Sequence, residues 1–231
     1  MNRRKPTVLL QPIVCILLAT MLLGACISPR KTDKWVANYY GCVPEPIKRK
    51  NDLVTVQSTV ASMGSVLSES RRKSVSVLPL IVYWKWNYVN ACQLNPQMAL
   101  NNFTTTVNSY AVRVLKPKLP NQTMELTVEK IPSAFDLDNT GHYIFLGLYG
   151  AGWETVTLLP QEHAVQVSYK VINADKGIAK TGTVTVPISV QPVKAGLYQS
   201  VKKKMGLYLQ QYDAAMMVMG RKLVDKLATE L

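Results

Sequence analysis

Residues 75–88 read VSVLPLIVYWKWNY, and their alternation sets the fold class. On a strand, successive side chains point to opposite faces. Leu78, Leu80, Val82, Trp84, Trp86 and Tyr88 then share one face, and Val77, Ile81 and Tyr83 the other. A run that begins apolar on both faces belongs to a central strand covered on at least one side. Trp84, Trp86 and Tyr88 are also the ligand-binding candidates, because Trp84-Lys85-Trp86 offers rings able to cradle a lipid or a sugar. Core packing is the alternative, since tryptophan is largely buried on average.

Downstream, Asn95-Pro96 supplies a helix start, with Asn as N-cap and Pro at the first helical position. Leu100, Phe103, Val107, Tyr110 and Val114 follow at steps of three and four, one apolar helix face, and Pro117 and Pro120 end it. Residues 122–130 alternate, with Met124, Leu126 and Val128 inward, and read as a half-exposed strand. Residues 131–140, carrying Pro132, Asp136, Asp138 and Asn139, read as a loop. His142 to Leu148 reads as a buried strand, and Gly147, Gly150 and Gly152 as a glycine-rich exit from it. Gly150-Ala151-Gly152 lacks the third glycine, the lysine and the following helix of a nucleotide loop.

Residues 164–172 and 181–190 alternate again and are joined by Asn173-Ala174-Asp175-Lys176-Gly177, a predicted hairpin. Its inward residues are Val165, Val167, Tyr169 and Val171 on one strand, and Val184, Val186, Ile188 and Val190 on the other. After Pro192 the spacing of Leu197, Val201, Met205, Tyr208, Tyr212, Ala215, Met219 and Leu223 predicts a helix to the C-terminus. The order is strand, helix, four strands, helix. It predicts an α+β fold, a small mostly antiparallel sheet packed with two helices.

Upstream, residues 54–66 give no clear pattern, and residues 68–74 are polar and basic, a predicted loop. Residues 27–40 lack a sustained period and read as a spacer, with Trp35, Tyr39 and Tyr40 apolar enough to dock on the domain. Three basic clusters stand out: Lys48-Arg49-Lys50, Arg71-Arg72-Lys73 and Lys202-Lys203-Lys204. Each alone is a solvated face. Together they suit a polyanionic neighbour, and Arg71, Arg72 and Lys73, in an adaptable loop, are the membrane-facing candidates.

The first 26 residues carry a different signal. Arg3, Arg4 and Lys5 precede a largely apolar run from Val8 to Leu23, which leads to Leu23-Gly24-Ala25-Cys26. A basic start, an apolar core too short to span a bilayer and a small-residue exit are the parts of a secretory signal. Leu23, Gly24, Ala25 and Cys26 resemble the lipobox of bacterial lipoproteins. The resemblance implies that residues 1–25 are a signal peptide, and that Cys26 becomes the lipid-bearing, palmitate-labelled first residue. It implies a tether over 26–50 and one periplasmic domain over 51–231. With Ile27 rather than Asp after the cysteine, the enteric sorting rule implies the outer membrane, facing the periplasm. The element order over residues 74–228 is also similar in layout to auxiliary lipoproteins of lipid-transport ABC systems and to the lipoprotein partner of the lipopolysaccharide translocon.

Loss of Arg3, Arg4 and Lys5 takes the formal charge from +13 to +10. Such a surface suits anionic headgroups, and export excludes nucleic acid as partner. Processing would leave Cys42 and Cys92 in an oxidising compartment, where they are a disulfide candidate. The bridge would contribute about 4 kcal/mol in the chain-entropy model; two buried thiols are the alternative. No metal-ligand spacing involves these cysteines, His142 or His163, so no metal or other cofactor is expected. No hydrolase motif is present, and Glu125 and Glu129, about 13 Å apart on a strand, are too distant for a glycosidase pair. The expected function is therefore non-catalytic. It is that of an envelope lipoprotein binding a partner protein, lipid or lipopolysaccharide, with a hydrophobic-ligand carrier or an envelope-polymer hydrolase as alternatives.

Overall fold

The computed structural model describes residues 27–41, 52–60, 68–78, 82–146, 149–161 and 164–231, with side chains described for all of these except 68–78, 82 and 146. In chain order the elements are α1 (Pro29–Tyr40), β1 (Val54–Ser58), β2 (Ser68–Leu78), β3 (Val82–Gln93) and α2 (Pro96–Leu115) with a 3₁₀ turn at Lys116–Lys118. Then follow β4 (Thr123–Lys130), β5 (Ala134–Leu146), β6 (Tyr149–Pro160), β7 (Ala164–Ile172), β8 (Ile178–Pro187), β9 (Val193–Ala195) and α3 (Val201–Glu230). The fold is α+β. It has two sheets where one was expected. One is four-stranded, in the order β1-β4-β7-β8, and the other five-stranded, β2-β3-β5-β6-β9. Every pairing is antiparallel except β1 with β4.

The stretch 75–88 is two strands, not one. Leu78 pairs with Tyr83 and Val75 with Trp86, so β2 and β3 run antiparallel on either side of residues 79–81, which lie outside the described residues. Pro79 was the sequence signal for this break, because proline cannot donate to a central ladder. The residues expected to form a loop before it, Arg71, Arg72 and Lys73, belong to β2, with a register shift between Arg72 and Ser74.

Two further corrections concern β5 and β6. Asp136 and Asp138 made residues 131–140 look like a loop, yet β5 starts at Ala134 and alternates: Phe135 and Leu137 are buried, Asp136 and Asp138 half-buried. Gly150 and Gly152 of the glycine-rich exit lie in β6, a full partner of β5 from Tyr149 to Pro160, while Gly147 lies outside the described residues. Neither segment has good strand propensity. Packing and pairing decide the outcome in place of it.

The helices cover the sheets. Asn95 caps α2, its Oδ1 accepting from the Gln97 amide at 3.0 Å. Leu100, Phe103 and Val107 are buried as expected, but the second half of the helix buries Ala111 and Leu115 and leaves Tyr110 and Val114 half-exposed. α3 runs beside α2, and their contacts advance together. Asn102 meets Asp213, Phe103 and Thr106 meet Gly220, and Lys118 Nζ donates to the Ala228 carbonyl, so the two helices are parallel. A Cβ on Gly220 would sit 3.0 Å from the Phe103 carbonyl oxygen, so glycine permits this close approach.

α3 spans both sheets. Its first half packs Tyr208 against Phe135, with ring centroids 5.1 Å apart, and Tyr212 Oη donates to the Pro132 carbonyl. Its last turns reach the four-stranded sheet. There Tyr169 Oη donates to Glu230 at 2.9 Å, and Lys226 Nζ donates to the Thr185 carbonyl at 2.8 Å. The β7–β8 hairpin buries Val165, Val167, Tyr169, Val171, Val184 and Val186 as its alternation predicts, and one core joins these residues to both helices and the second sheet.

The spacer expected over 27–40 contains a docked helix. Ser28 caps α1 by accepting from the Lys31 amide, Pro29 opens it, and Gly41 ends it at φ +71°. This is the asymmetry of proline at the start and glycine just past the end. Thr32 and Val36 are buried, and Trp35 and Tyr40 pack against the core.

Candidate functional site

Directly paired residues in a sheet share a face, so the register of the five-stranded sheet arranges its helix-covered face in rows. Asn90, Leu137, Leu158 and Val193 form one row, and Tyr88, Asn139, Val156 and Ala195 the next. Apart from the half-buried Tyr88, these lie under the helices. Further along the same strands come Trp86, Gly141 and Glu154, then Trp84, Tyr143 and Gly152, then Phe145 with Gly150. No described element covers these rows. Trp84 is 45% exposed and Phe145 39%, values unlike the core rows a few residues away.

The glycines in the outer rows have a physical role. The Trp86 indole lies across Gly141 so closely that a Cβ there would meet the ring. The Tyr143 ring likewise lies over Gly152, with its hydroxyl over Gly150. Trp84 and Trp86 meet edge to face at 6.1 Å, an arrangement favoured by ring quadrupoles. The result is an aromatic platform laid on glycine, continuous with the core face.

The opposite face of the same strands is also aromatic but is tied together by polar groups. Tyr83 Oη and His142 Nδ1 are 2.6 Å apart, and His142 stacks on Trp153 with centroids 5.1 Å apart and planes 14° apart. Trp153 is 42% exposed, and Tyr149, at the strand start, 80%. Lys85 pairs with His142 across β3 and β5.

The platform begins beside the N-terminal segment. Asn90 Nδ2 donates to the Ile27 carbonyl at 2.9 Å, which fixes the first described residue onto β3 two positions from Tyr88. At its other end α1 is held by Asp213 on α3. That carboxylate accepts from Tyr40 Oη at 3.2 Å, Tyr39 Oη at 3.5 Å and Asn102 Nδ2 at 3.3 Å. Burial pushes the Asp213 carboxyl above the usual carboxylate range, and the hydrogen bonds from Tyr40, Tyr39 and Asn102 oppose that rise. Burial, reinforced by the Asp213 charge, raises the Tyr40 phenol well above its ordinary value.

Of the sequence-predicted site residues, Trp84, Trp86 and Tyr88 come together on one face, with Tyr88 half-buried at its inner edge. Arg71 and Arg72 pair with Val89 and Tyr88 on the edge strand β2, so the basic cluster borders the platform through its backbone, from a strand and not a loop. Leu23, Gly24, Ala25, Cys26, Cys42 and His163 lie outside the described residues. Cys92 is buried on β3, its Sγ 3.7 Å from the Asn90 carbonyl. Tyr143, Phe145, Tyr149 and Trp153 were missed as site residues, although their aromatic character next to Gly150 and Gly152 was the available signal.

Among the described residues no cluster of His, Cys, Asp and Glu is placed to hold a metal ion, and no helix is long and apolar enough to cross a membrane. Among the described residues, open clefts lie between the end of α2 and residues 119–122 and between the end of β6 and residues 188–192. No protein family, curated protein or solved structure matches the chain.

Proposed function

We propose that this protein is a lipid-anchored, non-catalytic lipoprotein of the bacterial envelope. Its work is to bind a partner protein, lipid or lipopolysaccharide, and its place is the periplasmic side of the outer membrane. One observation carries the binding reading: the core face of the five-stranded sheet continues, with no described element over it, into rows of Trp86, Trp84, Tyr143 and Phe145, of which Trp84 and Phe145 are exposed and Trp86 and Tyr143 half-buried. Clustered apolar surface of this kind marks interaction sites. The anchor is supported by the sequence of residues 3–26, and the docked α1 adds a geometric consequence. Ile27 is fixed to Asn90, so a lipid on the preceding cysteine would hold the domain against the bilayer with no flexible spacer between.

Replacing Cys26 with Ser tests the anchor. Metabolic palmitate labelling should mark the wild-type chain and not C26S, and C26S should accumulate as precursor or be released. Equal labelling of the two would remove the lipoprotein reading.

A further inference from the structure

We infer that the uncovered aromatic face of the five-stranded sheet, centred on Trp84 and Trp86, rests in the headgroup zone of the phospholipid bilayer that carries the protein's own acyl anchor. The inference rests on the lipoprotein reading, and three features of the molecule point to this occupant.

The first is position. Consecutive Cα atoms are about 3.8 Å apart, so Cys26 lies within one such step of Ile27. Ile27 is bonded to Asn90, and Asn90 belongs to the same face of β3 as Tyr88, Trp86 and Trp84. At roughly 3.4 Å per residue, Trp86 stands about 14 Å and Trp84 about 20 Å along the strand from Asn90. Interfacial elements bury their apolar faces only roughly 5–10 Å into the boundary. An upright sheet, with its far end in the membrane, would lift the anchor about 20 Å above the headgroups. Turning the exposed half of this face toward the surface puts anchor and rings on the same side of the molecule, with the helices over the inner half bordering the contact. The anchor point therefore selects the broad face, not the tip.

The second feature is side-chain chemistry. Tryptophan and tyrosine carry an apolar body and a polar handle, the combination enriched where hydrocarbon meets water. Trp84, Trp86 and Tyr143 supply it on this face, and Phe145 adds a purely apolar ring. The third is charge. Arg72 pairs with Tyr88 on this face, between the anchor point and the indoles, in a chain whose formal charge is +10 once Arg3, Arg4 and Lys5 are removed. Each basic residue held at an anionic surface contributes about 1 kcal/mol.

The two faces give the test its internal control. The chain has four tryptophans: Trp35 on α1, Trp84 and Trp86 on the inferred membrane face, and Trp153 on the opposite face. The acylated full-length protein is reconstituted into vesicles of phosphatidylcholine and phosphatidylglycerol, its lipid confirmed by mass. Tryptophan emission is then quenched from the membrane with brominated lipid and from the water with iodide, in wild type and in W35F, W84F, W86F and W153F. The inference expects bromolipid quenching to fall in W84F and W86F and to persist in W153F, with most of the iodide quenching lost in W153F. Measurements on the wild type need no variant: its emission should shift to the blue on reconstitution.

Acylated protein whose Trp84 and Trp86 stay open to iodide would overturn the inference while leaving the anchor intact. Equal bromolipid quenching of Trp84 and Trp153 would overturn it too, since the sheet would then enter by its tip. Protection of Trp84 and Trp86 in native envelopes but not in vesicles would assign the face to a protein partner and overturn the lipid assignment. A chain without acyl mass would remove the lipoprotein reading, and the inference with it.

Discussion

The inner and outer halves of the five-stranded sheet share strands, register and one continuous face, yet they are built from different residues. The inner rows hold Phe135, Leu137, Val156, Leu158 and Val193, mostly aliphatic and sealed under α1 and α3. The outer rows hold Trp84, Trp86, Tyr143 and Phe145, with glycine beneath the rings. Interdigitated aliphatic side chains suit a close-packed core. Broad rings lying flat on glycine suit a surface that covers itself incompletely and meets something else. One face thus serves stability over one half of its length and contact over the other.

The sharpest way to break this comparison is to truncate one aromatic from each half. Phe135→Ala removes a buried ring packed on Tyr208 and should cost about 3–5 kcal/mol in urea unfolding. Trp84→Ala removes a larger but half-exposed ring and should cost less than about 1 kcal/mol. Comparable losses would mean that the outer rows are part of the core.

The helices after residue 95 and the four-stranded sheet were the more legible from sequence. α2, β4, the β7–β8 hairpin and most of α3 follow from periodicity because each shows an apolar face of the right period to a covering layer. The five-stranded sheet was less so. Its strands carry Gly150 and Gly152, which read as a glycine-rich exit, and Gly141, and their value appears only once Trp86 and Tyr143 are seen to lie on them. Asp136 and Asp138 concealed the start of β5 because they sit on the face away from the helices. α1 was missed for another reason. Its apolar face is short, but Ser28-Pro29 and Gly41 were capping signals in plain view. The aromatic pair Trp84 and Trp86 was identified, whereas its partners Tyr143 and Phe145 depend on a register that no local pattern encodes.

A smaller effect sharpens the contrast within the outer half. In Gly141→Ala the new Cβ meets the far end of the Trp86 side chain, not backbone, so the ring can swing aside. Stability should then change by less than about 1 kcal/mol, well short of what overpacking a sealed core costs. Trp86 should nevertheless report the change through its emission maximum and near-ultraviolet circular dichroism. A large loss of stability with unchanged spectra would mean that the indole is locked in place by contacts beyond the sheet.

The smallest expected effect concerns how the cover over the inner half is fastened. Asp213 on α3 holds the end of α1 through Tyr40 and Tyr39, and it also accepts from Asn102 of α2, so one carboxylate joins all three helices. Its folded-state pKa is raised, chiefly by burial. A raised carboxyl binds its proton more tightly when folded, so its contribution is fully present below the ordinary carboxylate range and is lost as pH rises through the raised value. Tyr39 and Tyr40, also raised, stay protonated throughout that window and cannot mask the slope. Asp213→Asn removes the titration while keeping the side chain's shape. Urea unfolding of wild type and D213N between pH 4 and pH 7 should therefore show the wild type faring best, relative to the variant, at the acid end and losing ground toward neutrality. A difference that grows with pH would instead mean that the tyrosine and asparagine donors outweigh burial. Charged Asp213 would then be what fastens α1, and with it Ile27, to the edge of the aromatic face.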